Sequence, residues 1–81
     1  SETRSEVPFA EELDVARTYQ RIEQLRLGPR LRVEWRTDGV PPDARVPGLV
    51  LQPLLENAIY HGVERLPAGG TVLVEARASG G

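Results

Sequence analysis

Val46-Pro47-Gly48-Leu49-Val50-Leu51-Gln52-Pro53-Leu54-Leu55-Glu56-Asn57-Ala58-Ile59-Tyr60-His61-Gly62 is the stretch on which the fold turns. It carries a dense run of aliphatic residues and the chain's only histidine. On a helix, Leu51, Leu54, Leu55, Ala58 and Ile59 fall at i, i+3, i+4, i+7 and i+8, which is one apolar stripe. Asn57 and His61, an i, i+4 pair, border that stripe. Pro47 suits a first-turn position. Pro53 has no N–H and would clash inside a regular helix, so a short turn is expected over 47–51 and a regular helix from about Gln52-Pro53 to Gly62 or just beyond.

Upstream, residues 1–8 are polar and end in Val7-Pro8, so they read as a disordered tail. Residues 9–27 read as a helix with acidic first turns (Glu11, Glu12, Asp14) and Arg26 in the last, matching the helix dipole. Its apolar face starts at Phe9, Leu13 and Ala16 and continues through Val15, Tyr19, Ile22 and Leu25. That face is wide enough to meet a second helix or a second subunit. Gly28-Pro29 ends the helix. Residues 31–37 alternate, with Leu31, Val33, Trp35 and Thr37 on one side and Arg32, Glu34 and Arg36 on the other, as in a strand with one wet face. Residues 38–45 are turn chemistry. Residues 71–77 read as a second strand after the turn Pro67-Ala68-Gly69-Gly70. The order helix-strand-helix-strand gives an α/β (α+β) fold class with a parallel or mixed strand pair. Two strands make a poor domain alone, so edge pairing between copies is expected.

Composition narrows the function classes. The chain has 81 residues, enough for one domain. Ten basic and twelve acidic residues are well mixed, with a net charge of −2, so no basic groove for nucleic acid is expected, and Trp35 reads as core rather than as a base-stacking platform. No apolar run approaches the ~20 residues of a membrane span, so this segment is expected to make no membrane contact. With no cysteine, no disulfide and no thiolate metal site can form. The first residue is not Met and no signal peptide is present, so the chain reads as a piece of something longer.

The segment Leu51-Gln52-Pro53-Leu54-Leu55-Glu56-Asn57-Ala58-Ile59-Tyr60-His61-Gly62 resembles the N box of sensor histidine kinases, in the form found in the LytS/AlgZ-type enzymes. Glu11-Glu12-Leu13, Tyr19, Ile22-Glu23, Leu25-Arg26-Leu27-Gly28, Arg30-Leu31-Arg32-Val33 and Ala44-Arg45-Val46-Pro47 extend the likeness in order and spacing over about residues 9–77. The resemblance implies a partial two-layer α/β sandwich of the histidine-kinase, gyrase and Hsp90-like ATPase type. Residues 9–28 would then be the end of the dimerisation domain, and 30–81 the incomplete N-terminal part of the ATP-binding domain.

The same resemblance implies the chemistry. Asn57 would help hold Mg²⁺ against the phosphates of ATP, a role suited to a neutral amide oxygen. His61 would line the nucleotide pocket; a structural cap at the helix end is the alternative. It is not the phosphoacceptor, which in this family lies on an earlier helix. Glu56 is the catalytic candidate, orienting the phosphoacceptor or taking its proton; a solvated carboxylate is the alternative. Related ATPases place a water-activating carboxylate four residues before the asparagine, where this chain has Pro53, so hydrolysis is disfavoured against transfer to histidine. Tyr60 stands where many kinases carry a phosphate-reaching Lys or Arg. The Asp-x-Gly-x-Gly segment and lid are absent, so the chain by itself is expected to be inactive. The intact protein would be a homodimer, its cytoplasmic segment here and its anchor in the inner membrane. It would autophosphorylate with MgATP and pass the phosphoryl group to a response regulator. Alternatives are a non-enzymatic interaction or dimerisation module, or another ATPase of the same fold.

Overall fold

In the computed structural model, residues 5–79 are described. They run β1 (Glu6–Pro8), α1 (Phe9–Leu27), a 3₁₀ turn (Gly28–Arg30), β2 (Leu31–Gly39), β3 (Arg45–Pro47), α2 (Leu51–Ile59), a π-helical turn (Tyr60–Glu64) and β4 (Gly70–Arg77). β2 and β4 pair in parallel, with Val33 beside Val72 and Trp35 beside Val74. β1 and β3 form a separate antiparallel pair. The result is an α+β domain with two helices and two small sheets.

The alternation expected for residues 31–37 holds. Leu31 and Thr37 are buried, Val33 and Trp35 partly so, and Arg32, Glu34 and Arg36 are exposed. Val72 and Val74 are the matching inward residues of β4. Ala16 and Leu27 of α1, Leu55 and Ile59 of α2 and Val63 of the π turn complete one core on that face. Trp35 is tied to α1: its indole N–H donates to Gln20 Oε1 at 3.0 Å, and the Arg17 guanidinium lies 5.0 Å from the ring centroid.

α1 begins and ends where its composition predicts, and Phe9 and Ala16 of the expected face are buried, but the rest of the buried face differs. Glu12, Ala16, Glu23 and Leu27 are buried, with Tyr19 packed against the core. Val15, Ile22 and Leu25 face outward, Leu25 being 89 % exposed. Counting only apolar residues misplaced the stripe, because two glutamates on the inward face have partners there. Phe9 and Ala10 donate their N–H groups to Ala44 O (2.8 Å) and Pro42 O (2.9 Å), satisfying two of the helix's orphan donors. Gly28 closes the helix at φ +62°.

Two elements depart from expectation. Residues 1–4 of the expected tail lie outside the described residues, and Glu6–Pro8 form β1 by pairing with Arg45–Pro47. Three-residue strands carry no periodicity to read, and this pair exists only because the 38–45 loop folds back over the start of α1. α2 starts at Leu51, just before the expected Gln52-Pro53, and runs unbroken through the proline. Pro53 is the third helical residue, where an N–H would have no partner inside the helix, so its missing donor costs nothing.

Candidate functional site

Asn57 sits on α2 two residues from each of the buried Leu55 and Ile59. Its side chain therefore points about 200° round the helix from theirs, and it is exposed rather than half-buried. Among the described residues its amide has no hydrogen-bond partner. His61 lies one turn on, exposed, within the π turn. Its Nδ1 is 3.3 Å from a nitrogen of Arg65, whose guanidinium donates, and its ring meets that of Tyr60 edge-on at 4.9 Å between centroids. Glu56 is also exposed and accepts from Gln52 Nε2 at 2.8 Å. Its charge reaches α1: burial pushes the Tyr19 phenol up first, with Glu23 and then Glu56 adding to the effect. Asn57 and His61 thus share one wet side of the helix, and Glu56 lies 100° away with a partner of its own.

Beside this side of α2 lies an apolar groove of about 170 Å³, lined by Leu51, Leu54 and Ala58 of the helix and by Val72, Leu73 and Glu75 of β4. No cluster of three or more His, Cys, Asp or Glu side chains able to hold a metal occurs among the described residues. A cation carried mainly by phosphate and water oxygens, with Asn57 adding one neutral ligand, fits this donor set; a cation held by protein alone does not.

What holds α2 in place was not read from its own residues. Glu12 of α1 accepts from the N–H groups of Leu49 (3.0 Å), Val50 (2.9 Å) and Leu51 (3.1 Å). It does cap a helix N-terminus, but that of α2 and not its own. Leu49 adopts φ +59° to turn its N–H toward that carboxylate. At the other end Arg30 donates from one terminal nitrogen to the carbonyls of Val63 (3.1 Å), Glu64 (3.0 Å) and Leu66 (2.9 Å). Arg26 bridges Glu23 and Glu64, reaching Glu64 Oε1 at 2.9 Å. The only advance signal for these roles was charge at core spacing, namely Glu12 and Glu23 in register with Ala16 and Leu27.

The Arg26 guanidinium holds the Glu64 carboxyl below its ordinary value of 4.5, and the Arg26 guanidinium is itself raised by Glu64 and Glu23. A lowered folded-state value means that this pair stabilises the fold above the unfolded carboxyl's pKa and stops doing so as pH falls through the folded one. Stability plotted against pH should therefore fall below about pH 4.5 less steeply in Glu64→Gln than in the wild type. Chemical denaturation at a series of pH values checks this, and identical acid limbs would remove the pair from the balance.

The chain is 35 % identical over 74 residues to the sensor histidine kinase BtsS of Escherichia coli, covering 91 % of this chain and 13 % of BtsS. It is 32 % identical over 75 residues to the sensor histidine kinase YesM of Bacillus subtilis, covering 93 % and 13 %. It is 31 % identical over 72 residues to the sensor protein LytS of Oceanobacillus iheyensis, covering 89 % and 12 %. The chain is homologous to a segment of the LytS-type sensor histidine kinases. It spans about an eighth of the length of these sensor kinases. No family model and no solved structure matches it. No helix among the described residues is long and apolar enough to cross a membrane.

Proposed function

We propose that the chain is part of a two-component sensor histidine kinase in which Asn57 supplies an oxygen to Mg²⁺ bound on the phosphates of ATP. The observation that carries this is the exposed, unpartnered amide of Asn57, set in the Leu51–Gly62 motif on a helix anchored at both ends. Bound MgATP would supply the phosphoryl group, first to a histidine of the protein and then to a response regulator. His61, on the same wet side, would border the nucleotide, and the apolar groove between α2 and β4 offers a surface for its base. Glu56 is the weaker assignment, since Gln52 already engages its carboxylate. Pro53, where a related ATPase would carry a base, favours transfer to histidine over hydrolysis.

In this reading the helices over β2 and β4 are the first part of a two-layer ATPase sandwich. The segment is cytoplasmic, the intact protein is anchored in the inner membrane, and the 81-residue chain alone is inactive. Calorimetric titration of MgATP into the full-length gene product tests the assignment. Asn57→Asp should weaken binding by at least about ten-fold by placing a carboxylate against phosphate oxygens. It should leave the fold intact, because Asn57 is exposed. Equal affinity in the two proteins would remove Asn57 from the site.

The outward stripe Val15, Ile22 and Leu25 supports a homodimer built through α1, the part of the interaction-module reading that we retain. Sedimentation should show a dimer at micromolar concentration, converted to monomer by Leu25→Glu. A wild-type monomer would end this proposal.

A further inference from the structure

α1 grips α2 at both ends and packs against it between them. Glu12 takes the three N–H groups at the start of α2, and Arg26 and Arg30 take Glu64 and the carbonyls beyond its far end. In between, the fully buried Ala16 and the half-buried Tyr19 belong to the same core as Leu55 and Ile59. Start meets start and end meets end, so the two helices run side by side in the same direction. Glu12 and Arg26 are 14 residues apart, about 21 Å along α1, and they meet the first residue of α2 and the last residue of its π turn, Glu64. A slip of one residue, about 1.5 Å along α1, therefore lengthens the contacts at both ends.

α2 needs such anchors. It has nine residues, too few to be stable as an isolated helix. Val50 at its N-cap offers no side-chain acceptor, no acidic residue lies in its first turn and no basic residue in its last. α1 and the turn after it provide what α2 lacks, the carboxylate at the positive end and the guanidinium at the negative end.

The geometry points to α1 as a two-point latch that sets the position of Asn57, with Glu12 and Arg26 as positioning residues. The hydrogen bonds and ion pairs at the two ends weaken with distance and misalignment, whereas the apolar contact at Ala16 and Tyr19 is non-directional. A shift of α1 along its axis therefore releases the ends of α2 before it disturbs the apolar contact. The placement of Asn57 then changes without any event at the site itself. The significance of Asn57 rests on the kinase reading above; the latch does not.

Amide hydrogen exchange on the chain, resolved by peptide, tests the latch without nucleotide. Glu12→Gln should speed exchange over 49–55 by about ten-fold or more, and Arg26→Gln over 60–66, with β2 and β4 unchanged. Glu64→Gln, which removes the same ion pair and leaves Glu23 on Arg26, should speed exchange over 60–66 to a similar degree, and adding it to Arg26→Gln should bring little further change. If Glu12→Gln fails to fold, the Arg26 series still decides, because Arg26 is half-exposed. Unchanged exchange in α2 would overturn the latch. On the full-length gene product each single variant should raise the Kd for MgATP about five-fold. Faster exchange with unaltered affinity would reduce the anchors to structural roles and overturn positioning. A wild type that binds no MgATP sinks the kinase reading alone, and exchange then decides the latch.

Discussion

Gly69→Ala should cost about 3–5 kcal/mol, enough to leave much of the chain unfolded, given that a domain of this size holds roughly 4–12 kcal/mol in total. Gly69 sits at φ +76°, a region that an alanine occupies only with strain. A Cβ there would lie 2.2 Å from the Arg30 carbonyl oxygen and 2.6 Å from its Cα. Those are backbone atoms that no rotamer change can move. Relief means shifting Arg30, and with it the guanidinium that gathers the Val63, Glu64 and Leu66 carbonyls. Leu31 and Gly70, the first residues in register between β2 and β4, flank the clash directly. The loss should therefore reach both the π turn and the sheet. Gly62→Ala is the control: nothing lies within 4 Å of the Cβ it would gain, and its effect should stay near zero. Urea denaturation followed by the fluorescence of Trp35, the only tryptophan, gives both numbers. If Gly69→Ala falls within about 1 kcal/mol of the wild type, the 66–69 loop is not fixed against Arg30 in solution.

Leu55→Ala should cost about 2–5 kcal/mol, the range for emptying a well-packed leucine site. Leu55 is 1 % exposed and, with Ile59 and Val63, is among the largest fully buried side chains of the described residues. It lies where α1, α2 and the sheet meet, so its loss opens a void that none of the three layers can close alone. Leu55→Met, which keeps the volume, should cost less than about 1.5 kcal/mol. Leu54→Ala, one residue away and 62 % exposed, should cost little. The same denaturation experiment separates them. Equal losses at 54 and 55 would mean that the helix is rotated from the orientation described here.

Much of the architecture was legible in advance, and for local reasons. The bounds of α1 follow from acidic first turns and the Gly28-Pro29 stop. The strand 31–37 follows from strict alternation, and a parallel or mixed pairing with 71–77 from a helix-containing crossover; the structure decides for parallel. The candidate residues Glu56, Asn57 and His61 were found from the motif alone. Their exposure was not, because an apolar stripe says which side of a helix is buried and leaves its border open. The structure moved Asn57 from that border onto the wet side. β1 and β3 were missed because three residues show no period. The start of α2, expected at about Gln52-Pro53, lies at Leu51, because the Glu12 carboxylate gathers the N–H groups of Leu49 to Leu51 and so opens the first turn just before the proline.

The sequence by itself determined the order and type of the long elements, the sites of the glycine stops and the kinship with LytS-type sensor kinases. Each of these depends on neighbours within a few residues or on residue identity alone. Only the tertiary structure decided which face of α1 is buried and what caps α2. The carboxylate of Glu12 meets its three N–H donors across 37 to 39 residues of chain, and Arg30 meets its three carbonyls across 33 to 36. Such pairings have no local signature. They exist because nine residues of helix with unsatisfied ends can be held only by charges brought from another element.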